Sequence, residues 1–293
     1  MAFPPAAHAW SPGTHIFLGE SILANLGQLP PALADLLRAF PYDFLYGNIA
    51  PDTSVAKKYA PVDRHCHFWP VGQEIHDQAS SDALRAFAHG YLCHLAADAV
   101  AHNYFVPRQL MLTSSTVGVG HSYWESRFED HLGSAYSRLA KEVIQLDHTP
   151  ADTLLDEILA PTIFSVRTSR RLFRGMVHMT ETAGFRRVVR AARKRSRWDI
   201  HDDDVERHLG WSYDFMTDLL RHHDSAPRRL DPSGREALGS AKRLRREALR
   251  HGARRNPVRL REAAEEHYGL PARRLTFWPD TKRLLRGSTD VLA

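Results

Sequence analysis

Cysteine is scarce in this sequence of 293 residues, which contains only Cys66 and Cys93. Two cysteines do not make a disulfide framework, so the chain does not belong to the small, disulfide-stabilised secreted proteins. Long apolar runs are missing as well, since no stretch approaches the roughly 18 to 20 apolar residues that a membrane-spanning helix needs. We therefore expect no transmembrane segment, and any contact with a membrane is expected to be peripheral.

The first nine residues also lack the features of a signal peptide. They contain neither a basic segment nor an apolar core of roughly 7–15 residues, although Ala7-His8-Ala9 resembles a cleavage site just before Trp10. A cytoplasmic location is the expectation that follows for the chain as written. A mis-assigned start codon would overturn it.

Charge is distributed unevenly along the chain. Residues 226–293 contain 17 Lys and Arg against 8 Asp and Glu, whereas residues 1–225 contain 22 against 26, so the whole basic excess is C-terminal. We expect one domain over 1–225 and a basic, mostly helical extension over 226–293, joined by turn-rich segments at 225–227 and 231–234. The asymmetry is typical either of contact with an anionic phospholipid surface or nucleic acid, or of a solvated arginine-rich tail.

Helical periodicity dominates the sequence, and runs of β-branched residues are short. With 43% apolar residues the chain can bury a sizeable core. The fold class predicted is all-α, a multi-helix bundle. Helices are predicted from Thr14, over 32–40 and 82–105, near 121, and over 134–146, 152–159, 162–177, 181–194, 202–223, 235–250 and 258–268, with Pro107 expected to end the helix over 82–105.

The most informative segment lies inside the predicted helix over 82–105. His94, Asp98 and His102 are at positions i, i+4 and i+8, so they share one face of a helix with 3.6 residues per turn. Imidazole and carboxylate groups are usual ligands of zinc-like ions, and two ligands at i,i+4 can bind a single ion. The alternative interpretation is a helix with scattered histidines.

Further metal-type residues surround this segment. His121 and Glu125 form a second i,i+4 pair at the head of another helix, and Pro51 favours a helix start at or just after Asp52, from which the carboxylate can point into a site. His67 follows Cys66. One His-x-x-x-Glu pair arises often by chance, but this whole combination is much rarer. His15, at a helix start, either binds a metal or satisfies backbone groups; His65, Cys66 and Cys93 are expected to be neighbouring or packing residues.

In order, residue type and spacing, these positions resemble the zinc-dependent phospholipase C family, whose all-helical fold is shared with the single-strand-specific zinc nucleases. The resemblance covers roughly residues 10–130 and rests on Trp10, His15, the segments 47–52, 67–68, 90–98 and 121–125, and His102. It implies that Asp52, His67, His94 and Asp98 surround a first metal ion. It implies equally that His102, His121 and Glu125 surround a second.

The resemblance leaves a third ion open. In the family this ion is held by a histidine matched by His15, by the aspartate matched by Asp98, and by the free amino group of an N-terminal tryptophan. Trp10 has the matching spacing but carries no free amine in the chain as written. The third site is therefore empty, uses other ligands or forms only after residues 1–9 are removed. Zinc is expected, in two or three ions per chain, and His/carboxylate sites also accept Mn, Fe or Ni.

The expected function is hydrolysis of a phosphoric ester, with phospholipids or lipid-like phosphodiesters as the first substrates to test. Asp52 is the expected catalytic residue, which orients or deprotonates the attacking water while the phosphate is held between the ions. The alternatives are a nuclease acting on single-stranded nucleic acid and a metal-binding scaffold or sensor without turnover. A basic extension suits phosphate contacts in both enzymes. Nucleic-acid binding also uses aromatic side chains that stack on bases, and residues 226–276 contain only one Phe, Tyr or Trp, namely Tyr268. This composition favours lipid over nucleic acid.

Overall fold

The computed structural model describes residues 10–53, 65–113, 117–159, 168–171, 175, 200–222, 225–253 and 256–278. Every regular element in these ranges is a helix, and none of them forms a strand. The predicted all-α class is therefore confirmed. The predicted helix over 181–194, and most of that over 162–177, lie outside the described residues.

The described ranges consist mainly of α-helices. Three 3₁₀ segments (Leu26–Gln28, Ala50–Thr53 and Ala226–Arg229) and two π-helical turns (Ala101–Phe105 and Leu249–Ala253) interrupt them. The α-helices are α1 (Pro12–Leu23), α2 (Pro31–Ala39), α3 (Pro41–Gly47), α4 (Trp69–Asp77), α5 (Asp82–Val100), α6 (Val106–Leu112), α7 (Val117–Leu132), α8 (Ser134–Gln145), α9 (Thr149–Ile158), α10 (Asp202–Arg221), α11 (Arg235–Ala248) and α12 (Pro257–Tyr268). None of these helices is both long and apolar enough to cross a bilayer.

Side-chain caps set several of the helix starts. The Ser11 and Ser81 hydroxyls accept hydrogen bonds from the backbone amides of Thr14 and Leu84, each at 3.3 Å. Each satisfies an amide that has no partner inside its own helix. Helix α1 consequently begins at Pro12, slightly before the predicted start at Thr14.

Helix α5 lies at the centre of the fold. Every residue from Gly90 to Val100 is buried, and α5 packs against α3, α4 and α10. A helix that is buried on all sides has no face exposed to solvent, so protein encloses the polar side chains of His94 and Asp98. The predicted metal-type residues therefore occupy the core.

Helices α3 and α5 cross with their backbones in contact. A Cβ atom on Gly47 would lie 2.8 Å from the amide nitrogen of Tyr91, and one on Gly90 would lie 3.0 Å from the Cα of Gly47. Contacts this short require the helices to separate, so the crossing depends on glycine in both positions. It brings the residues after α3 next to the face of α5 that carries His94.

The expectation that Pro107 ends the helix over 82–105 is wrong. The chain continues from α5 through the π-helical turn Ala101–Phe105 into α6, with Pro107 in the first turn of α6. Proline is tolerated there because the first turn needs no intrahelical amide donor. His102 lies in the π-helical turn, a local irregularity that is frequent at functional sites.

The residues of the predicted C-terminal extension pack against the same region. Helices α11 and α12 both contact α6 and the π-helical turn Ala101–Phe105. The division at residue 225 stays a prediction.

Replacement of Gly90 by alanine tests the helix crossing. Because the new methyl group meets the backbone of α3, we expect Gly90→Ala to lower the free energy of unfolding by about 3 kcal/mol. Gly239→Ala is the matched control, since Gly239 lies in α11 and a Cβ there has no neighbour within 4 Å. The control is expected to be neutral or stabilising by about 0.5–1 kcal/mol. Denaturant unfolding measures both, and equal effects would contradict the crossing.

A second prediction concerns His208 of α10, a buried histidine outside the predicted ligand set. Its Nδ1 donates a hydrogen bond to the Asp204 carbonyl at 2.6 Å, and burial lowers its pKa from the usual 6.5 to about 4. As the pH falls from 6.5 to 4, the unfolded chain therefore binds a proton that the folded chain does not, and stability is lost. His208→Gln should reduce this acid-induced loss by on the order of 3 kcal/mol. Urea unfolding at several pH values measures it, and parallel curves for both proteins would refute the prediction.

Candidate metal centre

The carboxylate of Asp98 lies at the middle of a buried group of metal-type side chains. Its Oδ1 is 3.2 Å from Nε2 of His15, and its Oδ2 is 3.1 Å from Nε2 of His67 and 3.2 Å from Nε2 of His94. Oδ1 of Asp52 is 3.3 Å from Nε2 of His67. These five residues, here called the five-residue cluster, are all at most 2% exposed.

Four separate segments deliver the cluster. His15 comes from the first turn of α1, and Asp52 from the 3₁₀ segment Ala50–Thr53. His67 lies in the turn before α4, while His94 and Asp98 are one turn apart on α5. The structure thus brings together five of the eight residues predicted for the site.

A backbone carbonyl fixes the orientation of His94. Nδ1 of His94 lies 2.8 Å from the carbonyl oxygen of Asn48. A carbonyl can only accept a hydrogen bond, so Nδ1 carries the proton and Nε2 presents a lone pair. Nε2 faces Nε2 of His67 at 3.1 Å. A histidine that donates its second ring nitrogen to a carbonyl is the usual arrangement for a metal ligand.

The charges of the cluster suit a cation. Burial alone would raise the pKa of Asp98, but His94, together with His15 and His67, outweighs it and holds that pKa well below its usual range. Burial, followed by the proximity of His94, lowers the pKa of His15 to about 4. At neutral pH Asp98 is therefore an ionised carboxylate and His15 a neutral imidazole, the protonation states in which both groups bind metals.

The geometry of the cluster fits a zinc-like ion. Ligand atoms about 2.0–2.2 Å from a tetrahedral zinc are separated from one another by about 3.3–3.6 Å. Four pairs of ligand atoms in the cluster are 3.1–3.3 Å apart, and His94 Nε2 lies 4.0 Å from Asp52 Oδ1. Within the described part of the chain, both Asp98 oxygens and both His15 ring nitrogens have no hydrogen bond. Buried polar atoms seldom lack one, so a ligand held by these atoms accounts for them.

The predicted ligands of the second metal ion are described only in part. His102 is 4% exposed, and its Nδ1 lies 4.0 Å from Oδ2 of Asp98. Glu125 of α7 is buried. The side chain of His121 lies outside the described residues, so the ligand set of the second ion stays a prediction.

Trp10, which the sequence linked to a third ion, is fully buried beside α5. Its indole nitrogen donates to the carbonyl of Ala97 at 3.1 Å, one residue before Asp98. Residues 1–9 lie outside the described residues, and the third site stays a prediction.

The side chains and carbonyls that contact the cluster were predicted only in part. Sγ of Cys66 lies 3.2 Å from Nδ1 of His67, a closer relation to the site than the packing role expected for it. His65 Nδ1 accepts a hydrogen bond from the His67 amide at 3.1 Å, as expected of a neighbouring residue. The positions of His65 and Cys66 next to His67 in the sequence could have indicated both contacts. The Asn48 and Pro232 carbonyls, which hold His94 and His102, are backbone groups that no residue type in the sequence reveals.

Comparison with known proteins adds one match. A family model described as zinc dependent phospholipase C matches residues 14–160, just over half of the chain. No curated protein and no solved structure matches. The matched range contains the entire five-residue cluster as well as His102, His121 and Glu125.

Removal of His94 tests the cluster as a metal site. We expect His94→Ala to reduce zinc affinity by more than the roughly 10–100-fold that loss of an outer-shell partner causes. His89→Ala is the matched control, because His89 lies on the same helix, and its ring packs against His76 of α4. Zinc content per chain and the zinc-induced rise in Tm measure the effect. Equal zinc binding by the two variants would contradict the assignment.

Proposed function

Because the chain belongs to the zinc-dependent phospholipase C family, we propose that it is a metal-dependent phosphoric-ester hydrolase acting on phospholipids or lipid-like phosphodiesters. The observation that carries the proposal is the buried convergence of His67, His94 and Asp98, with Asp52 beside them, inside the family-matched residues. The family and this cluster together support a metal-dependent hydrolase. The substrate class and the number of ions belong to the proposal.

The residues divide between the proposed ions as follows. Asp52, His67, His94 and Asp98 would hold the first zinc ion, and His102, His121 and Glu125 the second. His15 would contribute to a third ion, and Asp98 would be shared between that ion and the first. The 3.2 Å separation of His15 Nε2 from Asp98 Oδ1 supports a shared ion at this position.

Zinc, when bound, supplies a Lewis acid that lowers the pKa of water and offsets the charge of a phosphate group. The chain's own residues then provide orientation and proton transfer. Asp52 enters the cluster from the 3₁₀ segment after Pro51, and its Oδ1 lies 3.3 Å from Nε2 of His67. In the proposed reaction a carboxylate oxygen of Asp52 orients the attacking water and accepts its proton.

Neighbouring groups fix the orientation of His94 and the charge of Asp98 around Asp52. The Asn48 carbonyl holds the His94 ring with Nε2 directed into the cluster, and the Asp98 carboxylate keeps its negative charge because of the imidazoles around it. Burial of all five residues excludes bulk water, which strengthens the electrostatic interactions among them. The cluster thus places a base, a fixed anion and three imidazoles at one point.

Substrate assays with the zinc-loaded protein test the proposal. We expect release of a phosphorylated head group and of diacylglycerol from phospholipid vesicles, loss of this activity on chelation, and recovery when zinc is restored. Asp52→Asn should lower kcat by about 10²–10⁴-fold. Asp35→Asn is the control, since Asp35 lies on α2 with its side chain 75% exposed, and it should retain full activity.

Three outcomes would contradict the proposal. Cleavage of single-stranded DNA or RNA with intact vesicles would indicate the nuclease. Unimpaired hydrolysis by Asp52→Asn would remove the assigned role of Asp52. No hydrolysis of any phosphomonoester or phosphodiester, combined with unfolding on metal removal, would indicate a scaffold or sensor.

A further inference from the structure

Residues 230–234, here called the C-terminal strap, lie against the candidate metal centre although they are outside the family-matched range. Three consecutive carbonyl oxygens of the strap accept hydrogen bonds from side chains around the centre, among which His102 is the predicted ligand. The Leu230 carbonyl accepts from Nε1 of Trp69 at 2.8 Å, the Asp231 carbonyl from Nδ2 of Asn103 at 2.8 Å, and the Pro232 carbonyl from Nδ1 of His102 at 2.5 Å. The strap therefore connects the segment after His67 with the π-helical turn.

The strap is held in one conformation by its own hydrogen bonds. The Asp231 carboxylate accepts from the amide of Ser233 at 2.9 Å and from the amide of Arg235 at 3.0 Å. The Gly234 amide donates to the Asp231 carbonyl at 3.0 Å. An aspartate that bonds the backbone two residues ahead is a common turn-forming arrangement. Asp231 thus shapes the turn from which the Pro232 carbonyl projects.

Gly234 lets the strap approach His102 closely. Its φ of 57° is in the left-handed region that favours glycine. A Cβ atom there would lie 2.8 Å from the carbonyl oxygen of His102 and would also collide with the Cβ of His102. Both observations require glycine, so the approach to the π-helical turn is built into the sequence of the strap.

The contact with Pro232 decides which ring nitrogen of His102 can bind a metal. A carbonyl only accepts, so Nδ1 of His102 carries a proton and Nε2 presents the lone pair. The Asn48 carbonyl does the same for His94. Asn103, next to His102, is held by the strap and by the Ala99 carbonyl, so the π-helical turn is fixed at two successive residues.

We propose that the C-terminal strap is a positioning element for His102 and that loading of the second metal ion depends on it. The proposal rests on the metal centre proposed above, and it assigns a role in that centre to residues beyond 160. The strap does not touch the reacting atoms. It sets the tautomer and the position of one predicted ligand.

Zinc titration of strap variants is the first test. Asp231→Ala removes the acceptor that shapes the turn, and we expect the affinity for one zinc ion to fall by about 10–100-fold. Asp231→Asn retains an acceptor oxygen and should restore most of the affinity. The double variant Asp231→Ala, Glu125→Ala should lose no more zinc than Glu125→Ala alone, because both changes affect the same ion. Gly239→Ala on α11 is the control for an unrelated change in this region.

The outcomes separate the strap from the enzyme. If the unaltered protein binds zinc and Asp231→Ala binds it equally well, the strap is structural and this proposal fails while the proposed function stands. If the unaltered protein binds no zinc, both proposals fail. A lower Tm with unchanged zinc affinity also counts against the strap.

A measurement on the unaltered protein keeps the proposal testable if the variants do not fold. Long-range ¹H–¹⁵N spectra of the metal-free protein, recorded at a pH where histidines are neutral, report the tautomer of each ring. We expect His102 and His94 to be protonated on Nδ1. Protonation of His102 on Nε2 would overturn the proposal.

Discussion

The backbone contact between Gly47 of α3 and Gly90 of α5 is the constraint on which the metal centre depends. Two helices separated by ordinary side chains would leave the segment after α3 too far from α5 for its backbone to reach a side chain on that helix. At the glycine crossing, the Asn48 carbonyl instead reaches Nδ1 of His94, and the 3₁₀ segment that follows brings Asp52 into the cluster. Packing and chemistry are therefore set by the same contact, since the crossing selects both the position of one carboxylate and the tautomer of one imidazole.

Asp98 shows why such a centre is a compromise for the fold. Its carboxylate is completely buried, yet among the described residues neither oxygen has a hydrogen bond. A buried charge without full compensation destabilises a protein. Three imidazoles offset part of this cost by holding the pKa of Asp98 low, and a cation bound between the carboxylate and the imidazoles would offset more of it. Violations of ordinary core packing are expected at functional sites, and this one lies where α5 is most enclosed.

The parts of the centre that the sequence predicted are those that local rules determine. Helical spacing places His94 and Asp98 on one face of α5. The expected helix start at or just after Asp52 was wrong, because Asp52 lies inside the 3₁₀ segment that begins at Ala50. The π-helical turn after Val100 was not predicted, because nothing in its side chains distinguishes it from α-helix, and the stop assigned to Pro107 was wrong for the same reason. The carbonyls of Asn48 and Pro232 could not be predicted either. A backbone acceptor is common to every residue, and only the tertiary fold decides which one meets a histidine.

His102 lies inside the family-matched range, whereas Pro232, which holds its ring, lies outside it. The matched range contains every predicted ligand except those of the N-terminal tryptophan, so a comparison of ligands alone would place the whole centre before residue 160. Contacts with that range come from further along: the Leu230 carbonyl accepts a hydrogen bond from the Trp69 indole, and the Pro232 carbonyl accepts one from His102. A ligand set and the groups that orient it need not belong to the same stretch of sequence. For this chain, the strap whose Pro232 carbonyl accepts from His102 leads directly into the basic helix α11.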